Sequence, residues 1–333
     1  MASSRFCPLA GLLSVPLLAG IVAVFGVMSL VYDAAHQSFL PRLVPADLLT
    51  PANARMEQSG SVAQSAGPLL GGSLVATIGA QLAILVDALS YLVSGFLLMG
   101  VRVVEPVATP GKRNLLAELR EGVRWVYRHP MLGPMALTNH LRFAFSSMAG
   151  TVFLLFFVHE ISAGLSEKEI GFGLGLVMGL GGLGGVIGAG LAGRIGLRFG
   201  VGRTIVAMRA LEPLGLVLLA IAPIGYAGWA MAGASQFLWW LALGTSGPNE
   251  MGYRQAVTPD RLQARMNATI RSLNWGMVAI GAPLGGVLGE LIGYRPALWI
   301  GFAGMAISAL VLSLSKFRHA RHGDAQLAVA TSG

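Results

Sequence analysis

The sequence predicts an all-α, polytopic membrane protein, and three observations lead to that fold class. Of the 333 residues, 54% are hydrophobic and 11% charged, whereas soluble domains carry about 25% charged residues. Long apolar runs recur along the chain, and the short loops between them hold most of the Lys and Arg residues. A stretch near residue 43 reappears near residue 257, which indicates two related halves.

About nine apolar runs approach the length of roughly 20 residues that a membrane-crossing helix needs. They are residues 12–32, 61–78, 82–101, 143–158, 170–191, 204–222, 228–247, 270–292 and 297–314. The 46 glycines suit such helices, because small side chains allow close approach in lipid. A cleaved signal peptide is the alternative for the first run, but no small-residue cleavage site precedes Asp33.

The net charge of +8 indicates membrane topology rather than a nucleic-acid partner. Seventeen of the 23 Lys and Arg residues lie in one set of alternate loops, and the opposite set holds only Arg5, Lys168 and Arg295. Positive loops stay in the cytoplasm, so we expect a multi-pass protein of the cell membrane with a cytoplasmic C-terminus. The single cysteine and the absence of Cys/His ligand spacing predict no metal and no cofactor.

The longest loop, residues 102–134, contains a helical pattern. Its apolar positions at near-helical spacing are Leu115, Leu119, Val123 and Val126, with arginines beside them. This pattern is typical of an amphipathic helix at a membrane surface. It predicts a cytoplasmic linker that separates an N-terminal bundle at residues 1–101 from a C-terminal six-helix bundle at 135–316, followed by a disordered tail at 317–333.

The internal repeat pairs Pro45 with Pro259 and Asn53 with Asn267 at a constant offset of 214 residues. Both copies lead from a basic loop into an outward-going run, so the repeat is parallel, although short matches also arise by chance. Parallel repeats are typical of transporters made of two bundles. Only one apolar run precedes the first copy, so we expect the first three of twelve helices to be missing.

Several motifs carry a family resemblance. They are Asp33-Ala-Ala-His-Gln-Ser-Phe-Leu-Pro-Arg-Leu-Val-Pro, Ala52-Asn-Ala-Arg, Ala66-Gly-Pro-Leu-Leu-Gly-Gly, Val86-Asp-Ala-Leu-Ser-Tyr-Leu, Tyr253-Arg-Gln-Ala-Val-Thr-Pro-Asp-Arg-Leu and Arg265-Met-Asn-Ala. With them the chain resembles the major facilitator superfamily, in particular the exporter branch that includes enterobactin and macrolide efflux proteins.

The resemblance implies a secondary efflux transporter, not an enzyme, that exports a drug-like or siderophore-like molecule by proton antiport. Its partners would be the lipid bilayer, the small-molecule substrate and protons. A non-transporting fragment of such a transporter is the alternative. A membrane enzyme would need Asp33, His36 and His140 to lie together.

The family also has a gating loop of the form G-x-x-x-D-R/K-x-G-x-R/K in each half. Arg194, Gly196 and Arg198 match the end of this motif. The match is incomplete, because Gly193 stands at the Asp position and Ala189 at the first Gly.

Polar groups inside or at the ends of the runs are candidates for a substrate or proton pathway, because burying them in lipid is costly. They are Asp33, His36, Asn139, His140, Arg142, Asn249, Glu250 and Asn274. Two alternatives stay open: Asp33 can face water at a helix end, and Arg142 can reach toward the headgroups. Arg209 and Glu212, three residues apart, are expected to form a structural ion pair on one helix face.

Overall fold

A computed structural model describes residues 77–100 and 115–321, with single helical positions between residues 24 and 74. The chain divides into two compact units, Met1–Asn53 and Ala54–Gly333, and every helix bounded below belongs to the second. The predicted run at residues 12–32 lies outside the described ranges, as does most of the run at 61–78. The expectation of three missing helices is therefore not addressed by the described residues.

All regular elements of the described ranges are helical. The α-helices are α1 (Ala80–Met99), α2 (Leu115–Arg128), α3 (Leu132–Phe156), α4 (Glu167–Phe199), α5 (Val201–Ala220), α6 (Tyr226–Val257), α7 (Asp260–Ile292) and α8 (Tyr294–Leu314). A π-helical turn, Phe157–Ile161, extends α3, and a 3-10 turn, Lys316–His319, follows α8. The tail beyond residue 316 is predicted to be disordered, but its first turn packs on the bundle and Phe317 is fully buried.

Five helices of the described residues are long and apolar enough to cross a membrane: α1, α3 with its π-helical turn, α4, α7 and α8. The sequence also predicts spans at α5 and α6. Helix α5 departs from the apolar pattern because it carries Arg203, Arg209 and Glu212 within 20 residues. Helix α6 departs because Gly, Ser, Gln and Trp residues lower its mean hydropathy.

Most helices are longer than the apolar runs that predict them, because their polar ends continue beyond the runs. Helix α4 begins with a capping box, in which Ser166 Oγ accepts the N–H of Glu169 while the Glu169 carboxylate accepts the N–H of Ser166. Two helix pairs are joined by a single residue. Gly200 connects α4 to α5 and Gly293 connects α7 to α8, each with φ near 88°, a conformation that glycine adopts at little cost.

Helices α3 to α8 pack into one bundle, and its tightest seam lies between α4 and α6. Glycines of α4 make this seam. A Cβ atom at Gly184 or Gly188 would collide with the backbone carbonyl of Phe237 or Leu241 on α6. Close backbone approach through small residues is how helices associate in lipid.

The largest buried core combines aliphatic side chains of several helices with four aromatic ones, which come from the C-terminal end of α3, its π-helical turn and the N-terminal part of α6. Phe157 packs between Phe153 and Trp229, with ring centroids 6.1 and 5.9 Å away. The Trp229 indole N–H donates to Ser162 Oγ at 3.0 Å. We call this region the aromatic half of the bundle.

The linker helix α2 forms as predicted, but a different face packs on the bundle. Val126 is buried against α3 and α7, and Gly122 lies against Arg265 of α7. Leu119 and Val123, expected to share the apolar face with Val126, are 57% and 44% exposed. Steric fit decides the difference, because only the glycine side of the helix can approach the α7 backbone.

Candidate functional site

Five charged side chains from three helices meet inside the bundle, toward the ends of α3, α5 and α6 that adjoin the basic segments. We call this group the buried charge cluster, and its members are Arg142, Arg209, Glu212, Glu250 and Arg254. The first comes from α3, the next two from α5 and the last two from α6. The side chains of Arg209 and Glu212 are only 2% and 1% exposed.

Ion pairs between helices connect the members of the cluster. Arg142 Nη1 lies 3.1 Å from Glu212 Oε2 and so joins α3 to α5. Arg209 Nη2 lies 2.7 Å from Glu250 Oε2 and joins α5 to α6. Arg254 donates to the other oxygen of Glu250 from one helical turn away. Breaking a buried pair from one side leaves an uncompensated charge, so these pairs lock the three helices together.

Neutral side chains of α3 complete the coordination of the arginines. Thr138 Oγ1 accepts from Arg209 Nη1 at 3.1 Å, and Asn139 Oδ1 accepts from Arg209 Nη2 at 3.0 Å. Asn139 Oδ1 also accepts from Arg142 Nε at 3.2 Å, because the two residues stand three apart on the helix. One amide oxygen therefore holds both guanidinium groups in place.

The charges and hydrogen bonds of the cluster do not balance. Three arginines face two glutamates, which leaves one excess positive charge if all five are ionised. Glu212 Oε1 and Arg254 Nε are buried and have no hydrogen-bond partner among the described residues. A buried carboxylate oxygen without a donor is costly to keep, so part of the cluster remains unsatisfied in this conformation.

A second polar contact lies beside the cluster and links three helices. The His140 ring on α3 is 2.7 Å from Tyr127 Oη through Nε2 and 2.7 Å from Asn274 Oδ1 through Nδ1. Because the Asn274 carbonyl can only accept, Nδ1 donates to it, and in the neutral ring Nε2 accepts from the tyrosine hydroxyl. This contact fastens the linker helix α2 to α3 and α7.

Asn249 serves a packing role beside the cluster. Its Nδ2 donates to the carbonyls of Ala192 and Thr245, each at 2.9 Å, and so connects α6 to α4. Gly196 lies directly under the Asn249 side chain, where a Cβ atom would collide with Oδ1. Asn249 therefore belongs to the α4–α6 seam.

The structure pairs Arg209 and Glu212 differently from the sequence prediction. They share a face of α5 as expected, but Arg209 binds Glu250 and Glu212 binds Arg142. Both side chains point into the bundle, where charges on neighbouring helices are within reach. Arg142 also does not reach toward the headgroups, because it is 8% exposed and held by Glu212 and Asn139.

The predicted gating residues lie on a helix and not in a loop. Arg194, Gly196 and Arg198 belong to the last turns of α4, and Gly200 alone connects α4 to α5. Both arginines are exposed, whereas Gly196 is buried. Asp33 and His36 lie outside the described residues.

Sequence reasoning missed three members of the site. Arg254 counted only as a loop cation, although its spacing of four residues from Glu250 is typical of a helical ion pair. Thr138 and Tyr127 gave no comparable signal, because their partners are distant in sequence. Within the described residues, no three His, Cys, Asp or Glu side chains come together in a way that could hold a metal ion.

Comparison with known proteins agrees with this architecture. A profile described as the transmembrane secretion effector family, a branch of the major facilitator superfamily, matches residues 2–330. No match is found among curated proteins or among solved structures. The matched region includes all eight described helices, and their class agrees with the predicted all-α, polytopic fold. The chain therefore belongs to the transmembrane secretion effector family of major facilitator transporters, and it is a membrane transport protein.

Proposed function

We propose that this chain exports a small molecule in exchange for protons, and that the buried charge cluster couples the two movements. The family supports transport in general. The cluster supports the coupling, because it places two carboxylates within a helical bundle where each charge costs several kcal/mol unless it is paired. Arginine is effectively always protonated, so the carboxylates are the members of this cluster that can exchange a proton.

The main support for the proposal is the one-sided pairing of the Glu212 carboxylate. Its Oε2 is held by Arg142 at 3.1 Å, while its Oε1 is buried without a hydrogen-bond partner. In this conformation the Arg142 guanidinium is the charged partner of the Glu212 carboxylate. If Arg142 moves away, an isolated buried carboxylate is stabilised by taking up a proton.

The positions of the pair suggest how a conformational change would drive that step. Arg142 lies on α3 and Glu212 on α5, so a shift of one helix against the other breaks their contact. The family resemblance assigns α3 to the central cavity, which links this shift to substrate binding. Protonation would then depend on which side of the membrane the cavity faces, as alternating access requires.

The distribution of positive charge supports an orientation. Loops on the side of Arg198, Arg261 and Arg318 are rich in cations, whereas Lys168 and Arg295 mark the poor side. Under the positive-inside rule we assign the rich side and the C-terminus to the cytoplasm of a cell membrane. Residues 102–134 then form a cytoplasmic linker before the bundle at residues 135–316.

For the substrate we propose a drug-like or siderophore-like molecule, following the resemblance to enterobactin and macrolide exporters. The polar side chains proposed to contact the substrate on α3 and α7 are those of Asn139 and Asn274. Both amides are occupied by arginine or histidine in this conformation. They become available to a ligand only when the helices shift.

The test uses the full chain in proteoliposomes, with erythromycin, ethidium and enterobactin as probes and an imposed pH gradient as the energy source. Uphill transport is measured together with counterflow, in which labelled and unlabelled substrate exchange without a gradient. We expect Glu212→Gln to abolish uphill transport, because an amide cannot take up a proton. Counterflow should remain, because exchange needs no net proton movement.

Glu290→Gln is the matched control, since it removes an exposed carboxylate from α7 and should leave uphill transport intact. Glu212→Asp keeps a carboxylate at this position and should retain part of the uphill transport. Uphill transport by Glu212→Gln at the wild-type rate would refute the assignment of Glu212. Transport that requires ATP and ignores collapse of the pH gradient would refute proton antiport.

A further inference from the structure

The linker helix α2 presents a surface that nothing in the described residues covers. Arg120, Arg124 and Arg128 lie four residues apart, so they form one row along the helix, and all three are exposed. No carboxylate of the described residues pairs with any of them. The exposed Leu119 and Val123 form an apolar edge beside this row.

Ion pairs on the opposite side fix the rotation of α2. Glu121 Oε1 lies 2.5 Å from Arg261 Nη1, and Arg265 bonds the other carboxylate oxygen. Glu118 Oε2 adds a contact of 3.4 Å to Arg265, and the Trp125 indole N–H donates to Thr258 Oγ1 at 3.4 Å. The arginine row therefore cannot turn toward the bundle.

The charge of Glu121 makes this attachment persistent at neutral pH. Its hydrogen bond to Arg261, helped by the charge of Arg265, holds the pKa of the Glu121 carboxyl below its usual value. The carboxylate is therefore ionised throughout the physiological range. Two of the α7 cations, Arg261 and Arg265, are paired with carboxylates of α2, whereas the arginine row has no carboxylate partner among the described residues.

The position of α2 places the row near the membrane surface. Three residues separate Arg128 from Leu132, where a candidate membrane-crossing helix begins. Arg128 and Leu132 are therefore at most about 14 Å apart along the chain. An apolar edge next to a cationic row, close to the entry of a membrane helix, fits the boundary between headgroups and acyl chains.

We propose that this surface of α2 binds the headgroups of anionic phospholipids, with the arginine row on the phosphates and the Leu119–Val123 edge against the upper acyl chains. Juxtamembrane cations attract acidic lipids in this way. Because α2 is attached to α7 through Glu121, the bound lipid would hold the basic end of α7 against the membrane surface. The proposal does not depend on proton coupling.

The experiment measures lipid adducts on the intact, detergent-solubilised protein by native mass spectrometry. Phosphatidylglycerol is the anionic probe, and phosphatidylcholine of the same acyl chains is the neutral one. We expect the wild type to retain the anionic lipid preferentially. In the double glutamine variant, Arg120→Gln with Arg124→Gln, each arginine removed should weaken that preference about 5-fold. This factor is the equivalent of about 1 kcal/mol per charge near the surface.

Two further variants show whether charge at this position is responsible. The control variant, Lys316→Gln with Arg318→Gln, removes two cations from the 3-10 turn that follows α8. The preference for the anionic lipid should persist in this variant. Arg120→Lys with Arg124→Lys keeps the charge and should retain most of the preference. Retention should also fall as salt rises from 0.05 to 0.5 M, as for any exposed charge.

Three outcomes would overturn the proposal. The first is equal retention of the two lipids by the wild type, which would leave a soluble anionic partner as the occupant. The second is an unchanged preference in the double glutamine variant. The third is an equal loss in the Lys316 and Arg318 control. If the glutamine variant does not fold, the salt dependence and the lysine variant still decide the question.

Discussion

The two ends of the six-helix bundle are made from the same helices but are stabilised in opposite ways. Helix α3 supplies Arg142 to the buried charge cluster and Phe156 to the aromatic half, about 21 Å further along its axis. Helix α6 supplies Glu250 to the cluster and Trp229 to the aromatic half. The aromatic half has Ser162 as the polar partner of its indole, whereas the cluster leaves two buried polar atoms without one.

The two halves therefore differ in how their stabilisation depends on ionised groups: the aromatic half rests mainly on apolar packing, and the cluster on ion pairs. Aromatic packing depends little on pH and is lost only when the helices separate. The energy of a buried ion-pair cluster depends on the ionisation of its carboxylates, and under the proposed function their protonation would change which conformation is favoured. In the proposed mechanism the aromatic half would be the support against which the charged half moves.

The largest effect is expected from removing one partner of a cluster pair. Arg142→Met leaves Glu212 without its cation and should lower the free energy of unfolding by about 3–5 kcal/mol. Adding Glu212→Met should restore much of that loss, because two apolar side chains need no pairing. Denaturant unfolding in detergent of the wild type, Arg142→Met, Glu212→Met and the double variant gives the coupling energy of the pair. Additive losses in the double variant would contradict a direct interaction.

A smaller effect is expected in the aromatic half, because the Ser162–Trp229 hydrogen bond involves no charged group. Ser162→Ala leaves the buried Trp229 indole N–H without an acceptor, which should cost about 1–3 kcal/mol. Unlike Glu212→Gln, it should leave uphill transport coupled to the pH gradient. Ser313→Ala, at a half-buried serine of α8 whose Oγ donates to the Leu310 carbonyl, serves as the control and should change neither property. If Ser162→Ala loses uphill transport driven by the pH gradient, the proposed difference between the two halves is wrong.

The smallest effect concerns the helix end that leads into the charged half. His129 Nδ1 accepts the N–H groups of Met131 and Leu132, each at 3.2 Å, and so caps α3. Burial lowers the pKa of His129, because the folded protein favours the neutral ring. The stabilisation is therefore fully present above the unfolded-state pKa of about 6.5 and is lost as pH falls through the lower pKa of the folded state.

Hydrogen exchange at the two capped amides measures this effect, after correction for the intrinsic pH dependence of exchange. Protection should fall below pH 6 by the equivalent of about 0.5–2 kcal/mol, the usual contribution of a helix cap. His129→Asn should cap the helix without this pH dependence. If protection of Met131 and Leu132 is the same at pH 5 and pH 7.5 in the wild type, the capping role is wrong.

Much of the fold follows from the sequence because apolar runs determine where helices cross a membrane. The run at 297–314 is close to α8, whereas the run at 170–191 underestimates α4 by several residues at each end. The α4 ends depend on Ser166 and on Gly200. The charged residues between these ends and the run are polar and so lie outside it: Glu167, Lys168 and Glu169 at the start, and Arg194 and Arg198 at the end. Helix position was therefore easier to predict than helix length.

The candidate site was only partly predictable, because its pairs join residues far apart in sequence. Arg142, Glu250 and Asn139 were recognised as polar groups that need a reason to be in a membrane helix. Their partners could not be recognised, since 70 residues separate Arg142 from Glu212. The i, i+3 spacing of Arg209 and Glu212 favoured a local pair, but packing turned both side chains toward other helices.

The single-residue joints at Gly200 and Gly293 restrict how the bundle can move. A connection of one residue has no slack, so α4 cannot slide along its axis without drawing α5 with it, and the same holds for α7 and α8. Each pair behaves as a stiff hairpin that can tilt or rotate but cannot change its vertical register. Arg209 and Glu212 therefore keep their height relative to the glycine seam of α4, and breaking the Arg142–Glu212 pair would require α3 to move against the joined α4 and α5.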